Sequence, residues 1–274
     1  MSTQYELKDF LGHVSELSTI SPVAVELINK INLPNTTRGY IADLIEKDEI
    51  LYANIFKFVN SAAFPSVRKP QNITQAVDLM GTNEVRNLVF SIAARKAFVD
   101  LDLWFRSVFT AFAAQKFARI KEYNQEDVSN TYILGLMQSL GEQIFTIFYQ
   151  QQNEPVTKAK SFAHKLELQR EIFGVDCVTL SCEIIKEFGL PDAILELAET
   201  QKIEIRDPNF KEQNAFIYLA ASLAELAGGD VHEDTIDARL DPYLMQNFDL
   251  EDTLKITVDM FKDLQSETKS FVNM

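Results

Sequence analysis

Glycine and proline are scarce in this sequence, and long apolar runs are absent. Nine glycines and eight prolines are spread over 274 residues, so few positions interrupt a helix, because a helix interior tolerates these two residues least. Alanine, leucine, isoleucine, glutamate, lysine and glutamine are plentiful and favour helix. No apolar run reaches the roughly 18 residues of a membrane span, and no useful strand-period segment is present. The composition therefore predicts an all-α protein with no membrane partner.

Positive charge is also in deficit. Twenty-six Lys and Arg residues stand against 40 Asp and Glu residues, a net charge of −14, so a phosphate backbone would be repelled and we expect no nucleic-acid partner. Cys177 and Cys182 form no Cys-x-x-Cys motif, which indicates free thiols in a reducing compartment. The first residues, MSTQYE, contain neither a basic region nor an apolar stretch. We therefore expect no signal peptide and a cytoplasmic location.

Histidine is the third shortage. The sequence contains only His13, His164 and His232, none of which precedes an aspartate, and no two share a helix at a spacing of three or four residues. Metal-dependent hydrolysis needs imidazoles and carboxylates that converge on an ion, which then activates water. Phosphate-binding glycine motifs are absent as well. We expect no metal, no cofactor and no catalytic residue.

The best-defined pattern that is present is an apolar helix with two glycines. From Tyr132 through Gly141 and on to Phe148, apolar residues recur at the spacing of one helix face, and Asn124 is a suitable capping residue upstream. Gly135 and Gly141 each cost a helix about 1 kcal/mol relative to alanine. The pattern predicts one helix over this stretch, with another helix close to each glycine.

Further helices are predicted on both sides of this stretch. Ser21 and Pro22 suit the cap and first position of a helix that Pro34 closes, and Gly81 is expected to hold a positive φ at a helix end. The segment from Leu101 to Arg119 is apolar on more than one face, which is typical of a central helix. The other predicted helices cover 7–17, 37–47, 48–60, 73–80, 85–99, 161–173, 176–188, 192–198, 215–227 and 249–271.

Five short motifs follow one another in a fixed order. They are Ile20-Ser21-Pro22, then Asn60-Ser61-Ala62-Ala63-Phe64, then Ile73, Ala76, Val77, Met80 and Gly81, then Val85-Arg86-Asn87-Leu88, and finally Gly135-Leu136-Met137-Gln138-Ser139-Leu140-Gly141. The series resembles the HDOD domain family, a regulatory branch of the HD phosphohydrolase superfamily. One such motif is weak evidence, but the ordered set over about 17–200 is specific. The resemblance implies a multi-helix HDOD-like fold.

The resemblance also indicates what has become of the superfamily's metal site. The last motif is similar to a Gly-Leu-Leu-His-Asp-Ile-Gly segment in which the His-Asp pair holds metal, and Gln138 and Ser139 stand in its place. By the same overlay, the other ligand positions fall at Arg106, at Cys177, near Thr200-Gln201 and near Ala221. Every metal ligand would then be lost, and Arg106 would oppose a metal by like-charge repulsion.

This interpretation divides the chain into an N-terminal helical lobe over 1–100, a degenerate HD-like lobe over 101–230 and a C-terminal helical extension over 231–274. The resemblance implies a non-enzymatic bacterial adaptor or output module, which acts by protein–protein interaction with a partner of two-component or cyclic-dinucleotide signalling. The alternative is a small-molecule sensor, in which Arg106 and Gln138 hold a nucleotide-like group in the remnant cavity. A metal-dependent phosphohydrolase is the third interpretation. A cavity enclosed around Arg106 and Gln138 would favour the sensor interpretation. A site filled by aromatic side chains would favour the adaptor interpretation.

Two segments outside the HD-like core are candidates for a partner surface. One is the irregular link over 60–71 and the other is the amphipathic tail helix over 249–271. An isolated helix of that length is marginal in water, so its apolar face must pack on a partner or on the domain's own core. The candidate contact residues are Phe64, Val67 and Arg68 in the link and Leu254 and Phe261 in the tail.

Overall fold

The fold is all-helical, as predicted. The structure is a computed structural model that describes residues 5–16, 21–31, 33–60, 69–251 and 254–273. Within these ranges there are α-helices, short 3-10 helices and no strand. No helix in the described ranges combines the length and the apolar character that crossing a bilayer requires.

The N-terminal helices pack on one another around α6. They are α1 (Leu7–Leu11), a 3-10 helix (Gly12–Glu16), α2 (Pro22–Lys30), α3 (Arg38–Glu46), α4 (Glu49–Asn60), α5 (Ile73–Met80) and α6 (Thr82–Arg95). Helices α2, α4 and α5 all contact α6. Gly81 separates α5 from α6 with φ +78°, which confirms the predicted positive φ at this helix end and is a conformation that L side chains rarely adopt.

The second group of helices surrounds α7. It comprises α7 (Leu101–Ile120), α8 (Gln125–Met137), α9 (Leu140–Phe148), α10 (Gln150–Asn153), a 3-10 helix (Val156–Lys158), α11 (Phe162–Phe173), α12 (Cys177–Lys186), α13 (Asp192–Gln201), α14 (Glu212–Ala224), α15 (Glu233–Asp237), α16 (Pro242–Asn247) and α17 (Val258–Val272). Helix α7 packs against α8, α14 and α17. It is the central helix, as its apolar residues on several faces predict.

Several predicted helices have different bounds, and two of the differences are large. The single helix expected through Phe148 is wrong, because the chain turns at Gln138-Ser139 and forms α8 and α9. Both helices face the same core, so the apolar spacing continues across the break. The tail helix begins at Val258 rather than at Asp249, since the Thr257 hydroxyl caps it by accepting a hydrogen bond from Met260 N at 3.2 Å.

Close helix contacts at both glycines of the α8–α9 stretch are confirmed. A Cβ on Gly135 would lie 3.2 Å from Ala111 Cα on α7. A Cβ on Gly141 would overlap the carbonyl oxygen of Cys177 and lie 3.0 Å from Ser181 N, both on α12. Glycine at position 141 therefore sets how closely α9 approaches α12.

The core is continuous across the predicted lobe boundary near Asp100. One cluster of buried apolar side chains includes residues from α2 through α17. Polar groups are buried between α6 and α8, where the Ser91 and Tyr132 hydroxyls lie 2.7 Å apart. Arg86 is 1% exposed, and burial lowers the pKa of its guanidinium to about 10. The division into three segments remains a prediction.

Candidate functional site

Four charged side chains from four helices meet at the centre of the second group. Arg106 lies on α7, Glu142 on α9, Lys165 on α11, and Glu225 caps the C-terminal end of α14. Lys165 Nζ lies 3.0 Å from Glu142 Oε1 and 2.5 Å from Glu225 Oε1. Arg106 lies 3.7 Å from Glu142 and 3.6 Å from Glu225. We call these four residues the charge cluster.

Three side chains of the charge cluster are shielded from water, Arg106 is 32% exposed, and the cluster is neutral overall. Exposed fractions of the side chains are 7% for Lys165, 14% for Glu142 and 16% for Glu225. Burial raises the pKa of the Glu142 carboxyl, but Lys165 and Arg106 lower it by more, so the net shift is downward. Burial lowers the pKa of Lys165, but the two carboxylates raise it by more. Both groups are therefore held in their charged forms.

The residues to which the overlay assigns the ligand positions lie near the charge cluster, and their assignment remains a prediction. The Ser181 hydroxyl lies 2.7 Å from the carbonyl oxygens of both Gln138 and Cys177. Ser139 begins the turn into α9, three residues before Glu142. Gln138, Ser139 and Cys177 therefore lie together at the junction of α8, α9 and α12.

The other remnant positions lie on α13 and α14. Ala221 is buried on α14, one turn before Glu225. Thr200 and Gln201 end α13, and the Thr200 hydroxyl accepts a hydrogen bond from Asn214 Nδ2 at 2.8 Å. Both cysteines are free and buried, and burial raises the pKa of each thiol.

Sequence reasoning named Arg106 and missed its three partners. Glu142 directly follows the Gly141 motif, and Lys165 shares the buried face of α11 with Phe162 and Gln169. The sequence signal that could have revealed Lys165 is a charged residue at a helix position where the repeat predicts an apolar one. The pairing itself could not be read, because it joins residues on four helices far apart in sequence.

The residues at this centre do not suit a divalent cation. Each carboxylate already contacts both Lys165 and Arg106, and a metal would have to displace a cation from a neutral, buried arrangement. Across the described ranges, no group of three or more His, Cys, Asp and Glu side chains is placed to hold a metal ion.

A cleft of about 540 Å³ opens beside the charge cluster. Its lining includes Gln138, Phe162, Arg170, Thr179, Arg206 and Asn214. We call it the Asn214 cleft. Gln138 lines this cleft and Arg106 does not, so the cleft is not the shared pocket that the sensor interpretation requires.

A second, smaller concavity of about 230 Å³ lies between the two groups of helices. Its lining includes Ile50, Ile92, Arg95, Lys96, Trp104 and Phe271, and we call it the Trp104 groove. Arg95 lies over the Trp104 ring, 5.8 Å from its centroid. Ile50 at its edge is 50% exposed.

The candidate partner residues divide into two sets. Leu254 is 1% exposed and Phe261 is 0% exposed, and the Phe261 ring lies 5.1 Å from the Phe109 ring on α7. These two side chains pack on the domain's own core, so they are not exposed to a partner, which corrects their placement on a partner surface. Phe64, Val67 and Arg68 lie outside the described residues, and their role in a partner surface remains a prediction.

Comparison with known proteins identifies a family and several relatives that this chain resembles. A family model described as the HDOD domain matches residues 17–203. A Treponema pallidum protein named only as uncharacterized is 28% identical over 141 residues, which are 50% of this chain and 27% of that protein. The chain thus matches about a quarter of that relative's length.

Solved structures share the fold at low identity. An HDOD domain protein of unknown function from Geobacter sulfurreducens has a TM-score of 0.68 and 19% identity, with 97% of this chain and 95% of that chain covered. A Shewanella amazonensis protein with the provisional name of phosphohydrolase has a TM-score of 0.69 and 16% identity, covering 96% and 97%. A Marinobacter aquaeolei protein with a provisional signal-transduction name has a TM-score of 0.68 and 16% identity, covering 97% and 65%.

Proposed function

This chain belongs to the HDOD domain family, and from that premise we propose that it is a non-enzymatic output or adaptor module of bacterial signalling that acts by protein–protein contact. The observation that carries the proposal is the charge cluster. In it, Arg106, Glu142, Lys165 and Glu225 form a closed set of ion pairs that leaves no carboxylate without a cation. The provisional name of the Marinobacter relative supports a signalling role.

Hydrolysis of a phosphodiester at this centre lacks its essential parts. Metal-dependent hydrolysis requires an ion that lowers the pKa of a bound water. Gln138, Ser139 and Cys177 offer no carboxylate or imidazole, and the buried Cys177 thiol is held in its neutral form because its pKa is raised. For this reason the hydrolase activity in the Shewanella relative's name is not assigned to this chain.

The Trp104 groove is the contact surface that the geometry favours. Ile50 and Trp104 give it apolar walls, and Leu101, one turn before Trp104 on α7, is 61% exposed. Exposed apolar residues beside a concavity are typical of protein contact sites.

The charge around the groove indicates the partner. Neither Arg95 nor Lys96 forms an ion pair with a described residue, whereas the whole chain carries a net charge of −14. Two adjacent cations that have no carboxylate partner among the described residues favour a negatively charged partner at this place. We propose that the occupant is an amphipathic helix of a signalling protein, with an apolar stripe for the groove and acidic residues beside it.

A metal and activity test addresses the non-enzymatic half of the proposal. Protein purified without chelator is expected to contain no stoichiometric transition metal by elemental analysis, and to hydrolyse bis(4-nitrophenyl) phosphate no faster than buffer with added Mn²⁺ or Mg²⁺. Stoichiometric metal, together with turnover that Gln138→Ala abolishes, would overturn it.

A cross-linking test addresses the contact half. A photoreactive amino acid at Ile50 is expected to cross-link one protein in the native cell, through an acidic amphipathic segment identified by mass spectrometry. The double variant Arg95→Glu/Lys96→Glu should lose the cross-link. The matched control Lys160→Glu/Lys255→Glu makes the same change of charge at exposed positions outside the groove and should keep it. Equal yields from both double variants, or a cross-linked segment without acidic residues, would contradict the proposed surface.

A further inference from the structure

The Asn214 cleft has the size and construction of a small-molecule site. Its volume of about 540 Å³ lies within the roughly 300–1,000 Å³ of ligand pockets. Phe162, Leu166 and Ile217 provide apolar walls, and two buried amides, Gln138 and Asn214, provide polar groups among them. This combination of apolar walls and a few polar groups is typical of pockets that orient a ligand.

The hydrogen bonds around Asn214 fix which way its amide points. The Thr200 hydroxyl donates to Leu197 O at 2.8 Å, so its oxygen can only accept from Asn214. Asn214 Nδ2 donates to Thr200 Oγ1 at 2.8 Å and to Leu197 O at 3.3 Å. Neither acceptor lines the cleft. The Nδ2 group must therefore face α13, and Oδ1 must face the other way.

Asn214 Oδ1 is a buried acceptor without a donor among the described residues. The residue is 1% exposed, its Oδ1 accepts no hydrogen bond, and the side chain lines the cleft. A buried acceptor with no donor is costly, and a ligand that supplies the donor recovers that cost. The cleft therefore favours a molecule that places an N–H or O–H group against Asn214 Oδ1.

The charges that line the cleft balance. Arg170, Lys202 and Arg206 are opposed by Glu167, Asp176 and Glu204. Arg170 Nε donates a hydrogen bond to Asp176 Oδ2 at 2.7 Å. Lys202 forms ion pairs with Glu183 and Glu199. A site without net charge favours an uncharged ligand, because an ion would lose its hydration without gaining a net counter-charge.

We propose that the Asn214 cleft binds an uncharged, planar aromatic or heterocyclic molecule that donates a hydrogen bond from an N–H or O–H group to Asn214 Oδ1. Phe162 and Tyr218, whose rings lie 5.2 Å apart, supply aromatic surface for its flat faces. The site is separate from the Trp104 groove, and it does not depend on the contact function proposed above.

A matched pair of compounds tests the donor requirement. 2-Naphthamide and 2-acetylnaphthalene have the same shape, but only the first carries an N–H donor. Compounds of about 13 non-hydrogen atoms reach dissociation constants on the order of 1 mM at ordinary ligand efficiency. Saturation-transfer NMR titration of the full chain should give binding of 2-naphthamide in this range and about tenfold weaker binding of the ketone.

Two variants locate the binding. Ala163 is an exposed residue of the cleft lining, so Ala163→Trp should obstruct the cleft without disturbing the core and weaken both compounds about tenfold. Asn214→Leu removes the acceptor and should abolish the preference for the amide. No binding of 2-naphthamide, equal affinity of the two compounds for the wild type, or unchanged binding to Ala163→Trp would overturn the proposal. The Ala163→Trp arm keeps the test valid if Asn214→Leu fails to fold.

Discussion

Among single residues, Lys165 forms the shortest ion pairs of the charge cluster. Its side chain is 7% exposed, and its ammonium group approaches both carboxylates more closely than Arg106 does. Lys165→Met would leave two buried carboxylates to share one cation, Arg106, and breaking a buried pair in this way costs about 3–5 kcal/mol. We expect the free energy of unfolding to fall by this amount in urea denaturation at neutral pH.

The double variant Lys165→Met/Glu142→Gln is the control for that prediction. It removes one charge of each sign, so Arg106 and Glu225 remain as a balanced pair. We expect it to be more stable than Lys165→Met alone, since the uncompensated charge is gone. A double variant less stable than the single one would show that the cost comes from lost packing.

Glu142 also predicts how stability depends on pH. Its pKa in the folded chain lies below the ordinary value, whereas the unfolded chain has a carboxyl pKa of about 4.3. A group whose folded pKa is lowered stabilises the fold above the unfolded pKa, and this contribution is lost as the pH falls through the folded pKa. Urea midpoints measured below about pH 5 should fall less steeply for Glu142→Gln than for the wild type. Parallel curves would contradict this.

At the scale of the element, the contact between α9 and α12 depends on Gly141. An added methyl group would overlap the Cys177 carbonyl oxygen, which belongs to the backbone and cannot rotate away. We expect Gly141→Ala to lower the free energy of unfolding by about 1–3 kcal/mol or more, measured by thermal and urea denaturation.

Gly12→Ala is the control for Gly141→Ala. A Cβ there would meet nothing within 4 Å, and Gly12 has φ −55°, which alanine adopts readily. Stability should be unchanged or slightly higher, because alanine restricts the unfolded chain. Equal losses at the two positions would refute the role of the α9–α12 contact.

Helix α17 is expected to be part of the folded core. Phe261→Ala removes a fully buried ring that packs on Phe109, and such truncations cost about 3–5 kcal/mol. Lys262→Ala, an exposed neighbour on the same helix, should change stability by less than about 0.5 kcal/mol. Urea denaturation of the two variants measures the difference, and equal losses would mean that α17 is stabilised by something other than its apolar face.

Local signals predicted elements better than they predicted breaks between elements. Asn124 and Asp176 cap their helices as their positions suggest, each side chain accepting from a backbone N–H three residues on. The break at Gln138 was missed, because no glycine or proline marks it and the Gln138 carbonyl instead accepts from Ser181 on α12. A turn that is held by a distant helix has no local signature.

At the scale of the whole molecule, the order of short motifs predicted the helical HDOD fold, and the chemistry of the site was only half predictable. That Gln138 and Ser139 stand where the similar segment of the superfamily has its His-Asp pair remains a prediction from the sequence. The ion pairs that fill the centre could not be predicted, because Glu142, Lys165 and Glu225 come together only through tertiary packing. The Trp104 groove was missed for the same reason, since it joins α4, α6, α7 and α17.

The charge cluster also has a consequence for evolution. A metal site at this position would require histidines or carboxylates in place of Arg106 and Lys165, yet replacing either cation alone leaves a buried negative charge without its partner. Each single-substitution intermediate on that route is expected to be less stable than the present chain. Selection acting on single substitutions would remove such intermediates, so the ion pairs oppose the gain of a metal site at this position.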